Sequence, residues 1–436
     1  PGRCLHVAVL LSGGVDSSLA LQLLVAAGHH CKAFYLQIWF QEDFRNFWDT
    51  CPWEEDLSYA QQQVCDSLGV DLEVVPMTSA YWDRVVSHSV SEIRAGRTPN
   101  PDVMCNTHVK FGAFFDYLDA QQGQPTAAPA RLHDYPFDRV ASGHYARVLR
   151  SPTAAAPAEP ATPAATPCQV ALLCLTPDAV KDQTYFLAHL SPSQLSRALF
   201  PLGALTKAQV RQLAAVAGLA TQARKDSQGI CFLGKVKFPE FVQEHLGVWP
   251  GLIVLARFGG QQVLGVHQGY WFYTLGQRGG IRLPGGPWYV VRKDCDLNIV
   301  YVSRQYQASA ASRSAFVTGP FSWLSHLRPR QPIGTVESPR CAPPPLYCKV
   351  RHGPHAYRCE LREVPGASGQ ADFAQGALVV LDGCDQGLAA GQYAVLYQEG
   401  VCLGSAVIQG PADASVQGYA GPDATGQPVV LHACQI

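Results

Sequence analysis

The cysteines of this chain lack the spacings that a metal or redox motif needs. No two of the 15 cysteines among the 436 residues are separated by two positions, so Cys-x-x-Cys pairs of the zinc-ribbon or thioredoxin type are absent. Their frequency is far below the roughly 8–10% of a disulfide scaffold, and their number is odd. The sequence therefore predicts a reducing compartment in which most thiols stay unpaired.

Charge and long apolar runs are also scarce. Charged residues make up 15% of the chain, and 33 Lys and Arg against 34 Asp and Glu give a formal charge of −1. This balance excludes a uniformly basic coat for nucleic acid but permits local basic patches. No apolar run reaches the roughly 18 residues of a membrane span, and we expect no membrane partner. The chain starts at Pro1 with no visible signal peptide, so we expect that an N-terminal segment with any targeting peptide has been removed.

The length of the chain, 436 residues, is sufficient for two or three domains. Near the start, strand-like apolar runs at residues 7–11, 33–36 and 72–75 alternate with helical patterns at residues 15–27 and 57–68. Strands and helices that alternate at this spacing predict a doubly wound parallel sheet with helices on both faces.

The composition changes twice farther along the chain. Seven Ala and five Pro fill 12 of the 17 positions 151–167, which predicts a flexible insertion; residues 123–136 are a milder case. After about residue 236, short apolar runs bounded by Gly and Pro dominate, as at residues 269–273. Short apolar runs at this spacing predict the strands of one or two small all-β modules, the last of them a barrel.

Residues 12–18 (SGGVDSS) lie between the first predicted strand and the first predicted helix. Glycines let the backbone approach an anion closely, and a helix N-terminus offers unpaired N–H groups. The serines add hydroxyl donors, and Asp16 could hold Mg²⁺ on the phosphates. No Gly-Lys-Ser/Thr follows, so this is not a Walker A loop. The string resembles the pyrophosphate loop of ATP pyrophosphatases; the alternative is an ordinary strand-turn-helix with a serine cap.

Two cysteines lie in motifs of their own. Cys105 follows the proline-stiffened turn 99–102, with Asp102 three residues before it, and Cys231 lies in the glycine-hinged segment 226–234. Between residues 207 and 237 there are six cationic side chains and one acid, an excess that favours a reactive thiolate and would also attract a polyanion. The alternatives are a solvated helix face for the charges and an inert buried position for each cysteine.

Together these motifs resemble the tRNA-specific 2-thiouridylases, the MnmA family. The resemblance extends in order over nearly the whole chain, at residues 12–17, 100–106, 142–146, 181–185, 200–203, 227–234, 269–278, 391–392 and 401–404. Residues 51–57 (CPWEEDL) are similar to the plant and algal branch. A protein of that branch is expected in the mitochondrion or the chloroplast. A bacterial member of the family is expected in the cytoplasm.

The family fold implies three domains: a doubly wound α/β pyrophosphate-loop domain at residues 1–235, a small central domain at 236–308 and a C-terminal β-barrel at 309–436. The cofactors implied are ATP and Mg²⁺. The implied ATP-binding residues are Leu10, Leu11, Ser12, Gly13, Gly14, Val15, Asp16, Ser17, Leu36 and Gly143.

The resemblance also implies the chemistry. The wobble uridine of a tRNA, flipped into the pocket, would be adenylated on its C2 oxygen. Cys231, loaded as a persulfide by an upstream sulfur donor, would deliver sulfur to C2. Cys105 would act as the second thiol and close a Cys105–Cys231 disulfide, and Asp102 would serve as acid or base. The alternative for Asp102 is a structural residue of the turn.

Further matches concern RNA. The implied tRNA contacts are Asn100, Pro101, Asp102, His144, Lys181, Asp182, Gln183, Arg351, His352 and Gln392. His352 departs from the family, which usually has an aromatic partner beside the arginine. Two acid-poor basic tracts, at residues 279–293 and 328–351, could follow phosphates without overall basicity.

Two other functions remain open at this point. An amidating enzyme of the same loop class would leave Cys105 and Cys231 idle. A non-catalytic, nucleotide-dependent RNA-binding module would not need Asp102. The expected partners are tRNA and a persulfide donor, and we expect a monomer.

Overall fold

The computed structural model describes residues 3–38, 52–122, 137–151, 170–224, 238–256, 262–304, 314–330, 343–363, 373, 375–385, 388–412 and 427–433. The 225–237 segment and most of the two predicted insertions, at 123–136 and 152–167, lie outside these residues. Within the described part of the chain, none of the helices combines the length and the apolarity needed to cross a membrane.

The first domain is built on a parallel sheet. Its strands, in spatial order β3-β2-β1-β4-β7, all run in the same direction. The strands in this part of the chain are β1 (His6–Leu10), β2 (His30–Gln37), β3 (Leu72–Pro76), β4 (Arg139–Ala141), β5 (Arg147–Ser151), β6 (Val170–Cys174) and β7 (Ala198–Leu199). Because the strands are parallel, the carboxyl ends of β1, β2 and β4 lie at the same edge of the sheet.

The central strand β1 shows why this sheet is covered on both faces. Val7 and Val9 pack into one apolar cluster with Val64, whereas Ala8 and Leu10 pack into a second cluster on the opposite face. Every residue from 7 to 10 is buried. An uninterrupted apolar run is what such a doubly covered strand requires.

The described residues form eleven α-helices, some of which cover the two faces of this sheet. They are α1 (Val15–Ala26), α2 (Pro52–Ser58), α3 (Asp66–Leu68), α4 (Thr78–Tyr81), α5 (Ser87–Arg94), α6 (Pro101–Met104), α7 (Phe114–Gln122), α8 (Thr184–Leu187), α9 (Pro192–Arg197), α10 (Lys207–Val216) and α11 (Phe238–Leu246). Three π-helical segments, Tyr59–Cys65, Trp82–Val86 and Cys105–Ala113, join α2 to α3, α4 to α5 and α6 to α7. Wide π turns occur frequently at functional sites.

The central module is a four-stranded sheet in the order β10-β11-β8-β9. Its strands are β8 (Gly251–Leu255), β9 (Gln262–His267), β10 (Tyr289–Asp294) and β11 (Ile299–Ser303). The strand predicted at residues 269–273 is wrong, because Tyr270–Phe272 forms a 3₁₀ turn. Tyr270, Trp271 and Tyr273 are all buried, and a strand would have placed Tyr270 on the face opposite to Trp271 and Tyr273.

The C-terminal part is a closed barrel. Six strands, β12-β16-β15-β14-β17-β18, close on themselves because β12 also pairs with β18. The strands here are β12 (Ala315–Thr318), β13 (Ser322–Trp323), β14 (Leu346–Lys349), β15 (His355–Glu363), β16 (Ala377–Leu381), β17 (Tyr393–Gln398), β18 (Val401–Pro411) and β19 (Val429–Val430). The predicted fold class, a parallel-sheet domain followed by a small module and a β-barrel, is confirmed.

A hairpin links the first domain to the barrel. Strands β5 and β6 pair with each other, and β6 pairs with β18 through Leu173↔Cys402 and Cys174↔Val401. The Ala/Pro-rich insertion therefore connects the two strands of a hairpin. The parallel-sheet domain and the barrel share hydrogen-bonded β-structure instead of meeting only through side chains.

Candidate functional site

The turn between β1 and α1 has the geometry of an anion-binding loop. Gly13 has φ +73°, and Gly14, the N-cap of α1, is extended. The hydroxyl of Ser17 donates to Gly14 O at 3.1 Å and lies 3.2 Å from the Ser12 hydroxyl. The first N–H groups of a helix have no partner within the helix. Amide donors at the start of a helix fit the phosphate chain of a nucleotide, and the two serine hydroxyls hold the turn in shape.

Two glycines allow neighbouring segments to pack against this turn. A Cβ on Gly13 would lie 2.3 Å from Asp56 O, and a Cβ on Gly143 would lie 2.7 Å from Ser17 N. No side chain fits at either position. The predicted ATP residues are thereby brought to one edge of the sheet: residues 10–17 in the turn, Leu36 near the end of β2 and Gly143 just after β4.

Asp16 carries an ion pair. Lys207 Nζ lies 2.8 and 2.9 Å from its two carboxylate oxygens, and Tyr145 OH donates to Oδ1 at 2.8 Å. A Mg²⁺ ion on this carboxylate would compete with the Lys207 ammonium. No cluster of three potential metal ligands occurs among the described residues. A Mg²⁺ ion held mainly by nucleotide phosphates would need no such cluster, and Asp16 would reach that ion only by giving up its ion pair with Lys207.

A second cation lies on the other side of the turn. Arg224 donates to Gly13 O at 2.9 Å and to Asp56 Oδ1 at 2.6 Å, and its guanidinium stacks 4.2 Å from the Tyr59 ring centroid. Burial raises the pKa of Asp56 although the Arg224 guanidinium opposes the shift. Arg224 is the last described residue before the segment that contains Cys231. Cys231 itself lies outside the described residues.

The motif around Cys105 forms a capped helix. The Asn100 side chain accepts from Val103 N at 3.2 Å and so caps α6, with Pro101 as its first residue. Asp102 lies in the first turn, and Cys105, 1% exposed, begins the π-helical segment. Both predicted catalytic groups of this motif therefore lie on one continuous, anchored helix.

The predicted tripeptide 181–183 is held largely by internal contacts. Asp182 is 3% exposed, and its carboxylate accepts bonds from the backbone and hydroxyl of both Thr176 and Thr184. Gln183 Oε1 accepts from Tyr145 N at 2.9 Å. These contacts fix the loop that carries Lys181.

The barrel contributes three predicted RNA contacts. The Nε2 atom of His352 lies 3.1 Å from Asp182 O, and its ring stacks on Phe186 with the ring centroids 4.5 Å apart. Arg351 pairs with the buried Asp385 carboxylate. Gln392 bonds to the segment just before α6. The structure thus brings His352 to the 181–183 loop and Gln392 to Asn100, but it places Arg351 on a carboxylate of its own domain.

Two histidines packed near the site stay neutral in the folded protein. Burial, aided by the Lys110 ammonium, lowers the pKa of His144 to about 3. Burial, aided by His108, lowers the pKa of His189 to about 4. Their Nδ1 atoms lie 2.8 Å from Ser142 Oγ and 2.9 Å from Ser405 Oγ, respectively.

These histidines predict a loss of stability in acid. Their folded-state pKa values lie below the unfolded value of about 6.5, so the unfolded chain takes up protons first as the pH falls. The contribution is fully present above pH ~6.5 and decreases by about 1.4 kcal/mol per pH unit for each histidine below it. Urea titrations at pH 7, 6 and 5 should show this slope. His189→Asn, which keeps a hydrogen-bonding side chain but does not titrate, should reduce it; an unchanged slope contradicts the assignment.

Sequence reasoning missed the partners of two cations. The cationic excess near Cys231 includes Lys207 and Arg224, but their carboxylate partners Asp16 and Asp56 lie 191 and 168 positions away. The only local signal was the Thr206 capping box, which marks the start of α10 beside Lys207. The positive charge is therefore partly neutralised at the turn of residues 12–17, which we call the phosphate turn.

Comparison with known proteins assigns the family. Three family models match in succession: a tRNA methyl transferase HUP domain at residues 5–235, a tRNA methyl transferase PRC-barrel domain at 239–304 and an aminomethyltransferase beta-barrel domain at 314–408. Among solved structures, the U34-tRNA thiolase NcsA from Methanococcus maripaludis is 14% identical with a TM-score of 0.27, and the match covers 56% of this chain and 65% of that chain.

Curated relatives match over almost their full length. The tRNA-specific 2-thiouridylase MnmA of Porphyromonas gingivalis is 37% identical over 408 residues, which are 93% of this chain and 99% of that protein. The tRNA-specific 2-thiouridylase MnmA 1 of Bacteroides thetaiotaomicron is 36% identical over 406 residues, again 93% and 99%. With the phosphate turn, the capped Asp102–Cys105 helix and the barrel in the expected order, this chain belongs to the MnmA family of tRNA-specific 2-thiouridylases.

Proposed function

We propose that this protein is a tRNA sulfurtransferase that uses ATP to replace the C2 oxygen of the wobble uridine, U34, with sulfur. The observation that carries the proposal is the match to relatives named 2-thiouridylases over 99% of their length. The two cysteine motifs separate it from an amidating enzyme, which has no use for them. The phosphate turn separates it from a simple RNA-binding module, which needs no ATP cleavage.

In this proposal the turn at residues 12–17 binds the ATP phosphates, and a Mg²⁺ ion on those phosphates would offset their charge. The C2 oxygen of U34 attacks the α-phosphorus, and pyrophosphate leaves. Lys207 and Arg224, on either side of the turn, supply positive charge near the departing group. Asp102 accepts or returns the uracil proton from the first turn of α6.

Sulfur transfer then uses the two cysteines. The terminal sulfur of a persulfide on Cys231 attacks C2, and AMP leaves with the former C2 oxygen. The Cys105 thiolate attacks Cys231 Sγ, breaks its bond to the transferred sulfur and releases 2-thiouridine as the thiolate. The resulting Cys105–Cys231 disulfide is reduced by an external thiol, and a persulfide protein reloads Cys231.

A reconstituted reaction tests this function. The protein is incubated with unmodified tRNA, ATP, Mg²⁺ and a cysteine desulfurase with cysteine as the persulfide source, and digested nucleosides are analysed by mass spectrometry. We expect 2-thiouridine at U34, with one AMP formed per product, and none when ATP is omitted. ATP-dependent amide formation, or tRNA binding without product, would favour one of the two alternatives instead.

A further inference from the structure

The side-chain amide of Gln392 forms hydrogen bonds to the segment that precedes helix α6. Its Nε2 donates to Thr98 O at 2.9 Å and to Pro99 O at 3.1 Å, and its Oε1 accepts from Asn100 Nδ2 at 3.1 Å. A glutamine amide has two N–H donors, and both are engaged here. The reversed amide would point its oxygen at two carbonyl oxygens, so the contacts fix its orientation.

The backbone makes an equally close contact. Thr98 N donates to Ala390 O at 2.7 Å. Gly391 has φ +94°, and a Cβ there would lie 2.9 Å from Thr98 O and 3.1 Å from Thr98 N. The barrel end of this contact is rigid, because Gly391 N donates to Ile408 O on β18 at 2.8 Å. We name residues 390–392 on residues 98–100 the barrel clamp.

The barrel clamp leads directly to the catalytic groups. Asn100, held by Gln392, uses its Oδ1 to accept from Val103 N and so starts α6. Asp102 lies in that first turn, and Cys105 follows at its end. Two hydrogen bonds, Gln392 to Asn100 and Asn100 to Val103, therefore connect the barrel to the helix that carries both groups.

We infer that Gln392 and Gly391 are positioning residues: through the barrel clamp, the C-terminal domain sets the place of Asp102 and Cys105 for the reaction. This inference rests on the proposed function and gives Gln392 a role different from the tRNA contact that the family resemblance implies. Because a displacement of about 1 Å of a catalytic group can cost about 100-fold in rate, loosening the clamp should act on turnover and not on tRNA affinity.

Two variants test the barrel clamp from different sides. Gln392→Glu keeps the shape but puts an acceptor where Thr98 O and Pro99 O need a donor. Gly391→Ala keeps every polar group of the surface and adds one methyl against Thr98. We expect both to lower kcat for 2-thiouridine formation about 10- to 100-fold while the Kd for tRNA, from filter binding, stays within about threefold.

The controls separate the possible outcomes. Gly218→Ala has the same kind of backbone strain, φ +68°, but a Cβ there meets nothing within 4 Å, so its kcat should stay near that of the unchanged protein. The stoichiometry of tRNA binding reports the folded fraction of each variant. A loss of tRNA affinity in Gln392→Glu with an unaffected Gly391→Ala would show a direct RNA contact and overturn the inference. Unchanged kcat in both variants would also overturn it, and an unchanged protein without product would overturn the proposed function itself.

Discussion

Replacing Cys231 by serine is expected to lower the rate of 2-thiouridine formation by about 10³-fold or more while leaving tRNA and ATP binding intact. A serine hydroxyl cannot carry the persulfide sulfur, whereas the proposed function assigns binding to the phosphate turn and the basic tracts. Nucleoside mass spectrometry measures the product, and single-turnover kinetics with preloaded enzyme separate sulfur transfer from reloading. Product formed at the normal rate by Cys231→Ser would exclude this residue as the persulfide carrier.

Cys105→Ser should fail differently. With no second thiol to break the bond to Cys231 Sγ, the tRNA should stay linked to the enzyme through C2–S–S–Cys231. A non-reducing denaturing gel would show this adduct, and dithiothreitol would release it. Loss of activity without any adduct would place Cys105 before sulfur transfer instead of after it.

Two other cysteines of the first domain supply matched controls. Burial raises the pKa of Cys31 to about 11 and that of Cys65 to about 12, so both stay protonated at neutral pH. A protonated thiol is a poor nucleophile and a poor persulfide carrier. Cys31→Ser and Cys65→Ser should therefore keep thiolation within about threefold of the unchanged protein.

Gly13→Ala should abolish high-affinity ATP binding, with a loss of about 100-fold or more. The residue has φ +73°, which costs an L-residue about 1–2 kcal/mol. In addition, its Cβ would meet the Asp56 carbonyl oxygen at 2.3 Å, and backbone atoms cannot rotate away. The turn must then shift, taking its amide donors away from the phosphates. Calorimetry with a non-hydrolysable ATP analogue measures the effect.

Gly28→Ala is a control that has the conformational cost of a positive φ but no steric contact. Gly28, just after α1, has φ +80°, but a Cβ there meets no atom within 4 Å. This variant should lose about 1–2 kcal/mol of unfolding free energy and bind ATP within about threefold of the unchanged protein. If the two variants bound ATP equally, the close packing of Gly13 on Asp56 would have no part in forming the site.

Most of the fold could be predicted from local pattern. An apolar run such as residues 7–10, buried on both faces, already indicates a central parallel strand, and the glycines after it indicate the turn. The 3₁₀ turn at Tyr270–Phe272 could not, because an apolar run carries no sign of which way each ring must face. The pairing of β18 with β6 could not be predicted either, because the register between distant strands is set by tertiary packing.

The local elements of the candidate site could be predicted from the sequence, but the contacts between those elements could not. The turn at residues 12–17 and the helix at Asp102 and Cys105 are recognisable from composition and spacing. Lys207 on Asp16 and Gln392 on Asn100 join residues 191 and 292 positions apart, and no local pattern encodes such contacts. A side chain matched to a family position can therefore have its hydrogen-bonding capacity already satisfied inside the protein.

The shared β-structure at Cys174 and Val401 has a consequence for synthesis of the chain. These paired residues are 227 positions apart. At ribosomal rates of roughly 5–20 residues per second, β18 is therefore synthesised about 10–45 s after the β5–β6 hairpin. During that interval β6 presents an open edge, which is a template for pairing with another chain. A nascent chain arrested before β18 is therefore more exposed to aggregation than the finished protein, and shielding of that edge by a chaperone would matter most for this hairpin.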